Sequence, residues 1–397
     1  MKRRTGIVVT FLFVCTALLE LLSYAVIFLS RPILDEEIRT TADIYEEQSA
    51  RIHSLLANSE SGLATVDAVL GWRYRPRYTS ATDHINSMGL RSDHEYSVRP
   101  IEGVLRVAAF GDSFVYGTEV VDADAWPAVI ERLYDDIEVL NYGVGGYGTD
   151  QASLRFGIEG MDLSPHVVLI GFAPIDLRRV VNVYRRFMSS RESLLTKPRF
   201  HLDAGGALRL TGTPIRTVHD WKPILEDPSL IRRWGSADQW YEPLIYENFL
   251  YDLSASVRVL STVWIRLENR YLDPERWIDS GVFNTSSSAF KIQMAVFEQF
   301  VEDVRESGAR PLVLILPNRE SLESSLRGRA VPFQPLVEAL RASEIAVLDA
   351  TDAFKRSAEP AVGEWFAAGG HYSPAGNYVL ADWLGGYLRA LPASAPE

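Results

Sequence analysis

Apolar positions along the chain change their rhythm three times. From Gly6 to Ser30 they are nearly continuous (GIVVTFLFVCTALLELLSYAVIFLS), and about 25 helical residues suffice to cross a ~30 Å hydrocarbon core. From 31 to about 60 the chain turns polar, with Ile38, Tyr45 and Ile52 at the heptad-like spacing of a helical stem. The segment GWRYRPRYTSATDHINSMGLRS that follows has no helical period and reads as short strands and turns. From residue 105 short apolar runs alternate with helical stretches, the pattern of an α/β sheet. Strands are predicted over Leu105–Phe110, Glu138–Leu140, His166–Ile170, Pro311–Leu316 and Ile345–Leu348. Helices are predicted over Ala125–Leu133, Thr149–Glu159, Ser288–Glu306, Gln334–Ala342 and Pro374–Leu391, and residues 178 to 285 break the rhythm as an insertion.

This gives a division into a tail (1–5), a transmembrane helix (6–30), a stem with a small accessory segment (31–104), a main domain (105–391) and a terminal tail (392–397). Lys2, Arg3 and Arg4 precede the apolar run, and Asp35, Glu36 and Glu37 follow it. Positive charge stays in the cytoplasm, so the expectation is a single-pass inner-membrane protein whose main domain is periplasmic or extracellular. A cleaved signal peptide is the alternative, with Ser23-Tyr24-Ala25 as its site; the apolar run continuing through Val26-Ile27-Phe28-Leu29 favours the anchor. Glu20 lies inside the run, where a carboxylate is costly, so it is either protonated, snorkelling or in contact with another membrane protein.

Composition narrows the function. With 52 acidic against 40 basic residues and a net charge of -12, the chain is a poor nucleic-acid binder. Its single cysteine, Cys15, lies in the apolar run, which excludes a disulfide framework and a thiolate metal site. The seven histidines show no metal-ligand spacing.

Three loops carry candidate chemistry. Strand Leu105–Phe110 runs into Gly111-Asp112-Ser113-Phe114, which delivers Ser113 beyond the carboxyl end of a strand, where α/β sheets bind ligands. The second strand runs into Asn141-Tyr142-Gly143-Val144-Gly145-Gly146-Tyr147-Gly148. Gly143, Gly145 and Gly148 match a dinucleotide fingerprint, but the next strand ends in Gly171-Phe172-Ala173, without the acid that fingerprint requires. His371 stands in a Gly-rich loop just before the last helix. Together these are a nucleophile, a glycine loop able to stabilise an oxyanion, and a base.

The GDSF block, the Asn-x-Gly-x-x-Gly block and the histidine before the final helix resemble the SGNH (GDSL-type) hydrolase superfamily over about residues 105–391. The more specific likeness is to membrane-anchored bacterial SGNH proteins carrying a large insertion. The resemblance implies a flavodoxin-like three-layer α/β fold with a parallel sheet and no cofactor. It implies Ser113 as nucleophile, the Ser113 and Gly146 N–H groups as the oxyanion hole, and His371 as general base, with Asp112 holding the turn. Two positions depart from the family. Ile175 stands where its third block has an oxyanion-donating Asn, leaving Asp176 or Asn182 as stand-ins. Gly369 and Ala368 stand where it has the His-orienting Asp, leaving Glu364, Asp349 or Asp352.

The function so implied is a serine esterase acting on O-acyl, chiefly O-acetyl, esters of envelope or exported polysaccharide. Two alternatives remain: acyl transfer to a polysaccharide with a membrane acyl-donor protein, and a degenerate glycan-binding or assembly protein. Trp221, Trp234, Trp240, Trp264 and Trp277 lie in the insertion, as sugar-stacking platforms or as the core of a subdomain. Arg178, Arg179, Arg185 and Arg186 would bind an acidic glycan or pair with carboxylates.

Overall fold

A computed structural model describes residues 2–30, 38–357 and 362–391. In chain order the elements used below begin with helices α1 (Lys2–Ser30) and α2 (Thr41–Ala57). Next come β1 (Leu105–Gly111), α3 (Ser113–Tyr116), α4 (Trp126–Leu133), β2 (Ile137–Gly143) and α5 (Thr149–Glu159), followed by β3 (Val167–Phe172) and α6 (Asp176–Arg179). The rest are α7 (Phe249–Leu253), α8 (Ala255–Leu267), α9 (Ser288–Glu306), β4 (Arg310–Ile315), β5 (Val347–Asp349) and α10 (Pro374–Arg389).

The chain forms two compact units. One comprises 60–181, 197–213 and 277–397; the other 1–59, 182–196 and 214–276. The segment 60–104 thus belongs with the sheet, and the stem with most of the insertion.

In the first unit five strands pair in parallel in the order β5-β4-β3-β1-β2. Parallel strands need crossovers, and strands covered on both faces are apolar throughout, which is why they read as unbroken apolar runs. Alternation decides the faces. Val107 and Ala109 of β1 join a cluster with Val129 and Ile130 of α4 and Leu380 and Leu384 of α10. Phe110 faces the other way against Phe156 of α5, which meets Phe300 of α9. The result is the expected three-layer α/β arrangement with a parallel sheet. Chain order reverses direction at β1, so the crevice beyond the ends of β1 and β3 is the topological switch point. A hairpin of Ala64–Asp67 and Gly71–Tyr74 belongs to this unit too. Its Trp72 and Tyr74 are buried.

Strand β2 runs three residues past its predicted end and β3 two, through Asn141-Tyr142-Gly143 and Gly171-Phe172, which sequence rhythm does not count as strand. In the second unit the Trp234 ring meets Tyr184 and Trp221 edge to face, and Trp221 is buried, so that tryptophan of the insertion is core rather than a sugar platform.

Candidate active site

Ser113 opens α3 immediately after β1. Asp112 caps that helix, its carboxylate accepting the Phe114 N–H at 2.8 Å, as expected of a residue that holds the turn. The other Asp112 oxygen accepts from Arg179 at 3.0 Å, and the same guanidinium nitrogen reaches Asp176 at 3.0 Å and the Tyr147 carbonyl at 3.0 Å. One buried arginine therefore ties together the loops after β1, β2 and β3. Asp176 also accepts the Ala173 N–H; burial and the neighbouring Asp112 push its carboxyl up, against the pull of Arg179. It closes its own turn and is not an oxyanion donor.

Close approach explains one of the glycines in the second loop. A Cβ on Gly143 would sit 2.3 Å from the Tyr116 backbone nitrogen, so α3 packs directly on the end of β2 only because that residue lacks a side chain. Gly146 has φ +82°, the left-handed region that favours glycine. The loop around it is braced by the hairpin: Tyr74 Oη accepts the Gly145 N–H at 2.8 Å, and Trp72 Nε1 donates to the Gly145 carbonyl at 3.2 Å. Among the described residues, no hydrogen bond engages the N–H of Ser113 or of Gly146.

His371 precedes α10, whose N-cap is Ser373 with Pro374 in the first turn. Tyr372, buried beside it, donates to the Pro317 carbonyl at 2.8 Å. Asn377 joins α10 to α4 by accepting the Trp126 N–H and donating to the Tyr372 carbonyl. Thus fixed, His371 places Nε2 2.8 Å from Ser113 Oγ, and its ring lies against Phe114.

The acid behind the histidine is Glu119, which the sequence reading does not single out. Its Oε2 lies 2.8 Å from His371 Nδ1 and accepts the His371 N–H at 3.0 Å, while Oε1 accepts the Gly369 N–H at 2.6 Å. Partial burial works against its charge, but these bonds from His371 and Gly369 outweigh it and hold the carboxyl below its ordinary value. An ionised Glu119 can only accept, so the Nδ1 proton is assigned to that bond, and the free pair on Nε2 faces the serine hydroxyl. Glu119 also carries φ +75°, a strained conformation for a residue with a side chain.

The three acids expected from sequence do not fill this role. Asp349 accepts the Thr351 N–H, Glu364 offers its backbone carbonyl to Ser373 Oγ, and neither they nor Asp352 bond to His371. The reason is steric and local: a Cβ on Gly369 would lie 2.6 Å from Glu119 Oε1. The space an acid at 369 would need is already occupied by one from the α3 loop. Asn182 likewise spends its amide N–H groups on Asp238 and the Tyr184 carbonyl. The other arginines are paired as well: Arg185 with Glu192, Arg186 with Glu47, and Arg178 over the Trp277 ring.

Chemically, this is a hydroxyl on a base that is oriented by a carboxylate. Among the described residues there is no group of acidic, His or Cys side chains able to hold a metal ion.

No family model matches the chain, and no curated protein matches it in sequence. Similar solved structures include a lipolytic protein of the G-D-S-L family from Desulfitobacterium hafniense DCB-2, 14% identical, with 70% of this chain and 97% of that one covered and a TM-score of 0.34. A lipase/acylhydrolase from Enterococcus faecalis is 13% identical over 74% and 100%, with a TM-score of 0.35. A catalytic mutant of an acetylxylan esterase from Geobacillus stearothermophilus is 11% identical over 75% and 99%, with a TM-score of 0.36. At such scores the geometry of the site, and not these likenesses, carries the functional reading.

Proposed function

We propose that the chain is a serine esterase of SGNH type that acts on O-acyl esters, acetyl foremost, of envelope or exported polysaccharide, through an acyl-enzyme on Ser113. The observation that carries this reading is the line from Ser113 Oγ through His371 to Glu119, with both steps at 2.8 Å.

Ser113 Oγ attacks the ester carbonyl carbon while its proton passes to His371 Nε2. The charge that develops on the carbonyl oxygen falls to the N–H groups of Ser113 and Gly146. As the tetrahedral species collapses, the sugar hydroxyl leaves with the proton from Nε2. Water then repeats the sequence on the acyl-serine and releases the free acid. Glu119 stays ionised throughout, fixing the tautomer and balancing the imidazolium. Ile175 in place of the third donor leaves this oxyanion hole with two backbone N–H groups, and one donor is worth roughly 10²–10³ in rate, so a slow enzyme is expected.

Helix α1, with a stretch from Arg4 to Leu29 long and apolar enough to cross a membrane, is read as the anchor. The basic residues before it orient the sheet outward, and that location is the argument for a polysaccharide substrate.

The degenerate reading keeps Ile175 but loses the argument from Ala368 and Gly369, since Glu119 stands on His371 Nδ1 where that acid is wanted. The transferase reading loses Glu20 as its link to a membrane partner, because Glu20 bonds within its own chain, to Ser254 and Ser256.

The test is hydrolysis of p-nitrophenyl acetate and of an O-acetylated glycan by the full chain in detergent. Both are expected to be turned over by the wild type and lost in Ser113→Ala and His371→Ala. Undiminished turnover in either variant would overturn the assignment.

A further inference from the structure

The acid inside the apolar helix is not idle. Its carboxylate accepts the backbone N–H of Ala255 and, at 3.1 Å, that of Ser256; the hydroxyls of Ser254 and Ser256 add two bonds at 2.8 Å. Glu20 therefore caps α8 from another helix, placing negative charge on the positive end of a helix dipole and satisfying donors that helix leaves open. One turn further along both helices, the Arg258 guanidinium lies 5.9 Å from the Tyr24 ring. The two contacts advance together in sequence, so α8 runs parallel to and beside the C-terminal half of α1. Of the α1 side chains described, Ala17, Glu20, Ser23 and Ile27 form the stripe shielded from solvent.

The opposite face of α8 is uncovered. Leu260 is 61% exposed and Trp264 50%, with Val263 and Leu267 exposed between and beyond them; in α7, Phe249 is 73% exposed and Leu253 71%. Two charged groups fall between Phe249 and Ile265, and both are engaged. Arg258 donates to the Tyr251 and Asp252 carbonyls, and the Asp252 carboxylate accepts the Thr41 N–H at 2.7 Å. Exposed charges resume at Arg266 and Arg270. At 1.5 Å per residue Arg266 lies about 16 Å along α8 from its start at Glu20, and α1 itself ends about 15 Å beyond Glu20. The basic end of α8 thus comes level with the end of the anchor. Helix α8 is too short, at about 20 Å, to cross a bilayer on its own.

We propose that α7 and α8 form a second membrane element, whose face of Phe249, Leu253, Leu260, Val263 and Trp264 lies in the outer leaflet of the lipid bilayer beside α1. The occupant is lipid because this face continues the uncovered apolar surface of α1, whose Leu21, Leu22, Phe28 and Leu29 are all more than 60% exposed. Trp264 and Arg266 then fall toward the headgroup level, where such residues are favoured. Glu20 is the latch between the two elements, which is why the anchor tolerates a carboxylate. The proposal rests on the reading of α1 as a membrane anchor.

The test uses the full chain with Cys15→Ser, carrying single cysteines in place of Leu253, Val263, Phe13 or His53. The variants are spin-labelled in phospholipid nanodiscs and probed with oxygen against a water-soluble nickel chelate. The labels at 253 and 263 are expected to show the lipid-type accessibility of the label at 13, while that at 53, at an exposed position of α2, stays aqueous. Aqueous values at 253 and 263 with a lipid value at 13 would overturn this proposal alone. An aqueous value at 13 would overturn the anchor reading beneath it. Shielding of 253 and 263 from both reagents, with spin–spin broadening, would overturn it in favour of a second copy of the chain. Adding Glu20→Ala is expected to raise nickel access at 263, and no change there would contradict the latch.

Discussion

A glutamate in a left-handed backbone conformation, facing a glycine with no room for a side chain, marks where this site differs from the pattern its motifs suggest. Glu119 and Gly369 form one solution: the acid enters from the loop after α3, and the glycine leaves it space. Gly369→Ala would therefore act on catalysis rather than on folding. Its methyl group would drive the carboxylate off His371, and misplacing an orienting group by about an ångström costs on the order of 10²-fold in kcat. Measurement of kcat beside thermal unfolding checks this, with a large fall in the first and little change in the second expected. The acid was hard to see in the sequence because orienting acids are sought close before the histidine, whereas Glu119 is 252 positions away. Its only local sign is its place six residues after Ser113. Ser113 and His371 were legible because the end of a parallel strand and the loop before the last helix are where such residues act; Gly146 as a donor rests on the family resemblance alone.

Two elements meet over a half-buried carboxylate away from the site. Glu131 on α4 accepts the Val139 N–H of β2 at 2.7 Å and the Tyr96 hydroxyl at 3.1 Å, and burial pushes its carboxyl up from 4.5 to about 7. The folded chain then holds a proton that the unfolded chain releases near 4.5, so stability falls as pH rises from about 4.5 to 7 and levels off above. Glu131→Gln keeps the acceptor without the charge. Relative to the wild type it is expected to gain on the order of 2 kcal/mol between pH 4 and pH 8, as urea unfolding at the two pH values will show. At this scale the sequence was readable wherever apolar rhythm decided the element: Thr149–Glu159 and Ser288–Glu306 form helices at the predicted bounds. It was less so where rhythm stops. The association of α2 with the insertion rests on contacts such as Tyr184 with Gln48, between residues 136 positions apart, which no local period encodes.

For the molecule as a whole, the proposed orientation sets the sheet outside the cytoplasm. A reporter phosphatase that is active only outside the cytoplasm is expected to be active when fused after Leu391 and inactive when fused after Thr5; the reverse would refute the orientation. Ser113 becomes a nucleophile, on the proposed mechanism, through His371 held by Glu119. That mechanism is tested most directly by the rate at which a serine-directed phosphonate labels the full-length protein, with the adduct mapped by mass spectrometry, in the wild type and in Glu119→Gln. The account predicts stoichiometric labelling at Ser113, slowed about 10²–10⁴-fold in the variant because the histidine loses its fixed tautomer. An unlabelled wild type that is folded, or equal rates in the two proteins, would contradict it.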